Sequence, residues 1–75
     1  MSDVARDFTS TRKLLTLGAT TDDLETCRRV RDEVRADPAF FDGFDEDERA
    51  ALKDVYSDVA MNLRDLRAAA RAQPA

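Results

Sequence analysis

Residues 45 to 72 read DEDERAALKDVYSDVAMNLRDLRAAARA, and this stretch predicts one long helix. Asp45 is a suitable N-cap, and Glu48, three residues later, completes a capping box in which each side chain accepts a backbone N–H of the other residue. Strong helix formers follow, with no Gly or Pro before Pro74. We therefore expect a helix from about residue 46 to about residue 72, roughly 40 Å long.

The side chains of this helix fall on three sides when they are placed about 100° apart. An apolar stripe, of the kind that packs on a core, contains Leu52, Val55, Tyr56, Val59, Leu63, Leu66 and Ala70. One flank is basic and contains Arg49, Lys53, Arg64, Arg67 and Arg71. The other side is acidic and contains Asp47, Asp54, Asp58 and Asp65, with Met61 among them. The helix thus has one side for a core and two oppositely charged sides for solvent or a partner.

The acidic side is the first candidate for a binding site. Asp54 and Asp58 are like charges one turn apart, and no base lies three or four residues from Asp58 or Asp65 on the same side. The helix dipole favours acids near the N-terminus, but it does not favour Asp65, which lies past the middle. A row of carboxylates about 27 Å long could resemble phosphates to a nucleic-acid-binding protein. The alternative is an ordinary solvated helix surface.

Length and composition predict one small folded domain covering residues 1–75. The chain is 43% hydrophobic and 37% charged, with a formal net charge of −4, and its apolar residues are periodic, as in a folded helical protein. Net negative charge argues against general binding to nucleic acid or anionic membranes. No apolar run approaches a signal-peptide core or a transmembrane span. We expect an intracellular, cytoplasmic protein without membrane contact.

Residue types also restrict the chemistry. The single cysteine, Cys27, excludes an internal disulfide, and the absence of His removes the ordinary zinc ligand and histidine base. Cys27 lies on the apolar side of its predicted helix, which favours a core residue over a reactive thiol. No nucleophile, base and oxyanion donors occur at a recognisable spacing. We expect no enzymatic activity, no cofactor, no metal and no small-molecule substrate.

A first helix is predicted from about residue 3 to about residue 17. Ser2 or Asp3 can cap it, and Gly18 follows where a left-handed residue often ends a helix. Leu14 and Leu17 lie off the inward side, so they are either covered by neighbouring chain or exposed. The inward residues are expected to be Val4, Phe8, Thr11 and Leu15.

A second helix is predicted from about residue 22 to about residue 36, with Thr21 as its cap. It should end there because Pro38 disfavours helical geometry at the preceding residue. Its core residues are expected to be Leu24, Cys27, Val30 and Val34. Arg28, Arg31 and Arg35 line one edge, which could contact nucleic-acid phosphates. Asp32 is placed to pair with Arg28 and Arg35, which favours a solvated, internally paired edge instead.

Between the second and third helices, residues 38 to 42 are predicted to form a short helical turn, which Gly43 can end. Three of the four Phe residues of the chain lie in this region. They are expected to close the bundle; the alternative is an exposed aromatic anchor for a partner. That alternative interface would consist of Phe40, Phe41, Phe44, Leu14 and Leu17.

The third helix is longer than the first two, which span roughly 22 Å each, so they cannot cover its whole apolar stripe. Coiled-coil spacing is present along Leu52, Val55, Val59, Asn62, Leu66 and Ala69, with Asn62 as a polar position that would set the register. An ordinary bundle core uses the same spacing. Dimerisation through the C-terminal half of this helix is the alternative.

The sequence therefore predicts an all-α fold, a small three-helix bundle running up, down and up with a short extra turn before the long C-terminal helix. The predicted function is protein binding without catalysis, by a regulator or inhibitor, such as a phage- or mobile-element-type protein that blocks a nucleic-acid-binding host complex through its acidic side. One alternative is a structural or adaptor subunit that dimerises or docks through the third helix. The other is weak nucleic-acid binding through one arginine-rich surface formed by Arg28, Arg31 and Arg35 together with Arg64, Arg67 and Arg71.

Overall fold

The computed structural model describes residues 7 to 72 and confirms the all-α class. Its helices are α1 (Phe8–Thr20), α2 (Leu24–Ala36) and α3 (Glu46–Ala72). Within the described residues there is no strand. The three helices form the predicted bundle, with α3 about twice as long as either of the others.

Contacts at the two ends of the bundle show the direction of each helix. At one end, the rings of Phe8 and Phe44 lie edge to face with their centroids 6.4 Å apart. At the other end, the Asn62 amide donates to the backbone oxygen of Gly18 at 2.9 Å. Because Phe8 and Gly18 are near the two ends of α1, and Phe44 and Asn62 follow in the same order, α1 and α3 run in the same direction. α2 returns between them, which makes the chain up-down-up.

All three helices and the α2–α3 connection contribute to one core. Leu15, Cys27, Leu52 and Val59 have no exposed surface at all. Burying a Val, Leu or Phe side chain stabilises a fold by about 1.5 to 3 kcal/mol. The complete set of buried hydrophobic residues is Leu15, Cys27, Val30, Val34, Phe40, Phe44, Leu52, Val59 and Leu63.

The first helix differs from its prediction at both ends. Asp7 is its N-cap, and its carboxylate accepts the backbone N–H of Ser10 at 3.1 Å. The proposed caps Ser2 and Asp3 and the inward residue Val4 lie outside the described residues. Gly18 was wrongly predicted to end the helix in a left-handed conformation, because α1 continues to Thr20 and the positive-φ glycine of the described chain is Gly43.

The reason for a glycine at position 18 is close packing between α1 and α2. A Cβ atom on Gly18 would lie 2.8 Å from Cγ1 and 2.9 Å from Cβ of Val30, which is closer than carbon atoms pack. Gly18 therefore permits the two helices to approach, and its backbone oxygen stays accessible to Asn62.

The cap of α2 also differs from its prediction. Asp23, not Thr21, is the N-cap, and its carboxylate accepts both the hydroxyl of Thr26 at 2.6 Å and the backbone N–H of Thr26 at 3.1 Å. These hydrogen bonds hold the pKa of Asp23 below its ordinary value. The Thr21 hydroxyl instead accepts the N–H of Asp23 at 3.1 Å and so shapes the loop before the cap. At the other end, α2 stops at Ala36, as the following Asp37-Pro38 pair predicts.

The start of α3 has the predicted capping box. The Asp45 carboxylate accepts the N–H of Glu48 at 2.8 Å, and the Glu48 carboxylate accepts the N–H of Asp45 at 3.3 Å. Before it, residues 38 to 43 form consecutive turns, in which the N–H of Asp42 donates to the oxygen of Ala39 at 3.0 Å. Gly43, with φ of 89°, ends these turns in a conformation that favours glycine.

Thr11 is the one buried polar side chain that the described structure leaves unsatisfied. It is 3% exposed, and its hydroxyl has no hydrogen-bond partner within residues 7 to 72. Replacing Thr11 by Val keeps the branched shape and removes a buried hydroxyl. We expect Thr11→Val to raise the free energy of unfolding by about 1 kcal/mol and the melting temperature by about 4 to 8 °C.

Thermal and urea unfolding measure this effect, and Thr16→Val is the matched control because Thr16 is exposed on the same helix. The control should change stability by less than about 0.5 kcal/mol. If Thr11→Val destabilises the protein, the Thr11 hydroxyl makes a stabilising hydrogen bond and is not an unsatisfied group.

Candidate partner-binding faces of the third helix

The acidic face consists of Asp47, Asp54, Asp58, Met61 and Asp65, and all five are exposed. Met61 is 59% exposed, a large fraction for an apolar side chain of its size. Within residues 7 to 72, none of the four carboxylates has a hydrogen bond or an ion pair. The row spans about 27 Å along the helix, since 18 residues separate its ends.

The position of α3 in the bundle explains why these carboxylates are unpaired. The Leu52, Val59 and Leu63 side chains are buried against α1 and α2, which turns the acidic and basic flanks of α3 to solvent on different sides. The neighbouring acid Glu48 is occupied in the capping box. The acidic face is therefore a row of carboxylates that no side chain within residues 7 to 72 pairs.

A second candidate surface is a groove between α2 and the C-terminal half of α3, with a volume of about 490 Å³. Arg31 reaches it from α2, and the other lining residues belong to α3. We call it the arginine groove; it is lined by Arg31, Ala60, Leu63, Arg64, Arg67, Ala68 and Arg71. Four arginines thus share the groove with three aliphatic residues, Ala60, Leu63 and Ala68, which we call its floor.

Of the three α2 arginines predicted as a nucleic-acid contact, one lines the groove. Arg31 lies in the groove with its side chain 19% exposed and pairs with Asp32 at 2.9 Å. Arg28 and Arg35 are exposed and do not line the groove. The expected pairing of Asp32 with Arg28 and Arg35 was wrong, because its carboxylate is held by the adjacent Arg31 through both Nε and Nη2.

The aromatic region before α3 closes the bundle. Phe40 is 3% and Phe44 6% exposed, so the exposed-anchor alternative is wrong for these two residues. Phe41 is half-buried, with its ring edge to face against Phe40 at 5.1 Å and Tyr56 at 6.2 Å. Lys53 covers it, with Nζ 5.8 Å from the ring centroid.

The other members of that alternative interface lie on α1. Leu14 is half-buried and packs against the core. Leu17 is 50% exposed. Of the five residues proposed for an aromatic and aliphatic interface, Leu17 alone is an exposed side chain, and one exposed leucine is ordinary for a protein surface.

The predicted coiled-coil seam is mostly used inside the bundle. Leu52 and Val59 are buried, whereas Val55 and Leu66 are half-buried against the same core. Ala69 is exposed. Beyond Leu66, the described part of α3 is exposed at every position up to Ala72, and this end is rich in alanine and arginine.

Asn62 has a role that its place in the seam did not predict. Its amide nitrogen donates to the backbone oxygens of Gly18 and Thr21, both at 2.9 Å, and lies 3.9 Å from the Cys27 sulfur. These oxygens belong to the last turn of α1 and its cap, where helix carbonyls lack partners within the helix. Asn62 therefore links α3 to the end of α1 and the start of α2.

Cys27 is confirmed as a core residue with no exposed surface. Its sulfur lies 3.6 Å from the backbone oxygen of Val59. Burial raises the pKa of the Cys27 thiol above its ordinary value. The thiol therefore stays protonated at neutral pH and lacks the thiolate character of a nucleophile.

Comparison of the chain with protein-family models, with curated proteins and with solved structures gives no match. The binding faces must be interpreted from their own geometry. In the described part of the chain, no three His, Cys, Asp or Glu residues are grouped so as to hold a metal ion. None of the described helices is both long and apolar enough to cross a membrane.

Proposed function

We propose that this chain is a small non-enzymatic regulator or inhibitor that binds another protein through the acidic face of α3. The observation that supports this proposal is the row of four exposed carboxylates, unpaired within residues 7 to 72, with Met61 exposed among them. A rigid helix of the bundle carries the row, so binding needs little ordering of the protein. Met61 adds apolar contact area to a charged surface.

The partner that fits this face is a protein with a basic, phosphate-binding surface. Carboxylates spaced along about 27 Å of helix offer negative charge to arginines and lysines that otherwise contact nucleic acid. A protein occupied in this way would be blocked from its nucleic acid, as expected of an inhibitor of the phage or mobile-element type. Electrostatic attraction would also speed the encounter and make it sensitive to salt.

Neutralising the acidic face is expected to weaken partner binding by at least about fourfold, because each charge pair contributes about 0.2 to 1 kcal/mol and four are removed. The measurement is affinity capture from a candidate host lysate by the wild-type chain and by the variant in which Asp47, Asp54, Asp58 and Asp65 are changed to Asn. The proposal is supported if the wild-type chain retains a nucleic-acid-binding protein. Duplex DNA or RNA should release that protein better than salt of equal ionic strength does.

A matched control separates this effect from the change in net charge. Asp22, Glu25, Glu33 and Asp42 are exposed carboxylates outside the acidic face, and changing them to Asn or Gln alters the net charge equally. This control should retain the partner. Equal loss of binding in both variants, or equal retention by the acidic-face variant and the wild type, would contradict the proposed function.

A further inference from the structure

The arginine groove carries positive charge that the described residues 7 to 72 largely leave without an ion pair. Arg64, Arg67 and Arg71 are exposed and have no ion pair within the described residues; Arg31 alone among the groove arginines has one. Arg64, Arg67 and Arg71 repeat at intervals of three and four residues, so they lie on one side of the helix and repel one another. A surface of this kind attracts an anionic ligand.

The floor of the groove restricts what that ligand can be. Ala60 and Ala68 are exposed in this lining, and Leu63 is buried. A nucleic-acid backbone supplies negative charge but no aliphatic side chain to cover such a floor. A helix that carries both carboxylates and an apolar side chain can pair with the groove arginines and also cover the aliphatic residues between them.

The acidic face of α3 has this chemistry. It presents four unpaired carboxylates and an apolar side chain, Met61, that is 59% exposed. The acidic face and the groove arginines lie on different flanks of one straight helix, so they cannot meet within one molecule. They can meet between two molecules.

We propose that the arginine groove binds the acidic face of a second copy of this chain. In this arrangement Asp58 and Asp65 of one copy lie against the groove arginines of the next, and Met61 covers the floor formed by Ala60 and Ala68. Because the two surfaces are different, each copy keeps one free groove and one free acidic face. The association is therefore head to tail, and it extends into chains or closes into a ring.

Sedimentation velocity and light scattering test this with two complementary variants. The acid variant changes Asp54, Asp58 and Asp65 to Asn, and the groove variant changes Arg64, Arg67 and Arg71 to Gln. All six positions are exposed on α3, so both variants should keep the wild-type circular dichroism. Wild-type mass should rise with concentration between about 10 μM and about 1 mM, the range of weak association.

Each variant alone should associate at least about threefold more weakly than the wild type, because it loses three charge pairs. An equimolar mixture should form a one-to-one dimer and nothing larger, since the acid variant keeps its groove and the groove variant keeps its acidic face. A matched mixture serves as the control. One of its variants neutralises Asp22, Glu33 and Asp42, and the other neutralises Arg28, Arg29 and Arg35. This mixture should associate like the wild type.

Several outcomes would overturn the inference. These are a monomeric wild type at about 1 mM, a mixture of the two variants that stays monomeric, or a groove variant that assembles as the wild type does. A wild type that stays monomeric but shifts a 20-nucleotide DNA or RNA strand through Arg64 and Arg67 would assign the groove to nucleic acid instead. None of these outcomes bears on capture of an outside protein by the acidic face, which the groove variant should retain.

Discussion

Gly18→Ala is expected to lower the free energy of unfolding by about 1 to 3 kcal/mol, the usual effect of overpacking a core. In an exposed helix the same change normally stabilises by about 1 kcal/mol, because alanine is the better helix former. Here the added methyl group would lie 2.8 Å from Cγ1 of Val30. The change in the free energy of unfolding is therefore expected to have the opposite sign to the change that helix propensity alone would give. Urea unfolding measures this change.

A double-mutant cycle assigns the cause. Val30→Ala removes Cγ1 but leaves Cβ, which is 2.9 Å from the added methyl group, so Gly18→Ala made in that background should destabilise less than in the wild type without becoming stabilising, with a coupling energy of about 0.5 kcal/mol or more. Ala51→Gly, at an exposed position of α3, is the reference for propensity alone and should cost about 1 kcal/mol. If Gly18→Ala stabilises the protein in the wild-type background, the close approach of α1 and α2 is not as described.

Asn62→Ala is the second change with a large expected effect, a loss of about 1 to 3 kcal/mol. It removes two hydrogen bonds of 2.9 Å, to the oxygens of Gly18 and Thr21, and each contributes about 0.5 to 1.5 kcal/mol. The affected carbonyls lie at the junction of α1 with the loop to α2. We therefore expect this junction to lose hydrogen-exchange protection more than the N-terminal half of α3 does.

Two further substitutions show whether donation by the amide is what matters. Asn62→Asp has nearly the same shape, but a carboxylate accepts hydrogen bonds and cannot donate them, so it should cost at least as much as Asn62→Ala. Ser57→Ala, at an exposed position on the same helix, should be within about 0.5 kcal/mol of the wild type. Equal stability of Asn62→Asp and the wild type would exclude the proposed role of the amide.

The sequence predicted most accurately those structural features that depend on residues close together in the chain. The reciprocal bonds of Asp45 and Glu48 depend on residues three apart, and α3 spans Glu46–Ala72 as its cap and periodicity predict. Thr21 and Asp23 show the limit of such signals. Both residue types can cap a helix, and only the path of the loop decides that Asp23 does so while Thr21 bonds to its backbone.

The features that sequence reasoning missed depend on neighbours distant in the chain. Gly18 resembled a helix end because glycine favours that position, yet its role follows from Val30 on another helix. Asn62 resembled a register-setting residue, yet its partners lie more than 40 residues away. The sequence suggested one basic surface shared by α2 and α3, but which α2 arginine lines the groove depends on packing, and nothing local distinguishes Arg31 from Arg28 or Arg35.

By itself, the sequence determined that the chain is helical, where α3 begins, and that opposite charges occupy different sides of that helix, because these follow from backbone hydrogen bonding and from 3.6 residues per turn. Only the tertiary structure decided that Phe40 and Phe44 are buried and that Arg31 joins the arginines of α3. Periodicity defines which side chains share a face. Which face meets which is set by close packing between helices, and that depends on the shapes of side chains brought together only when the chain folds.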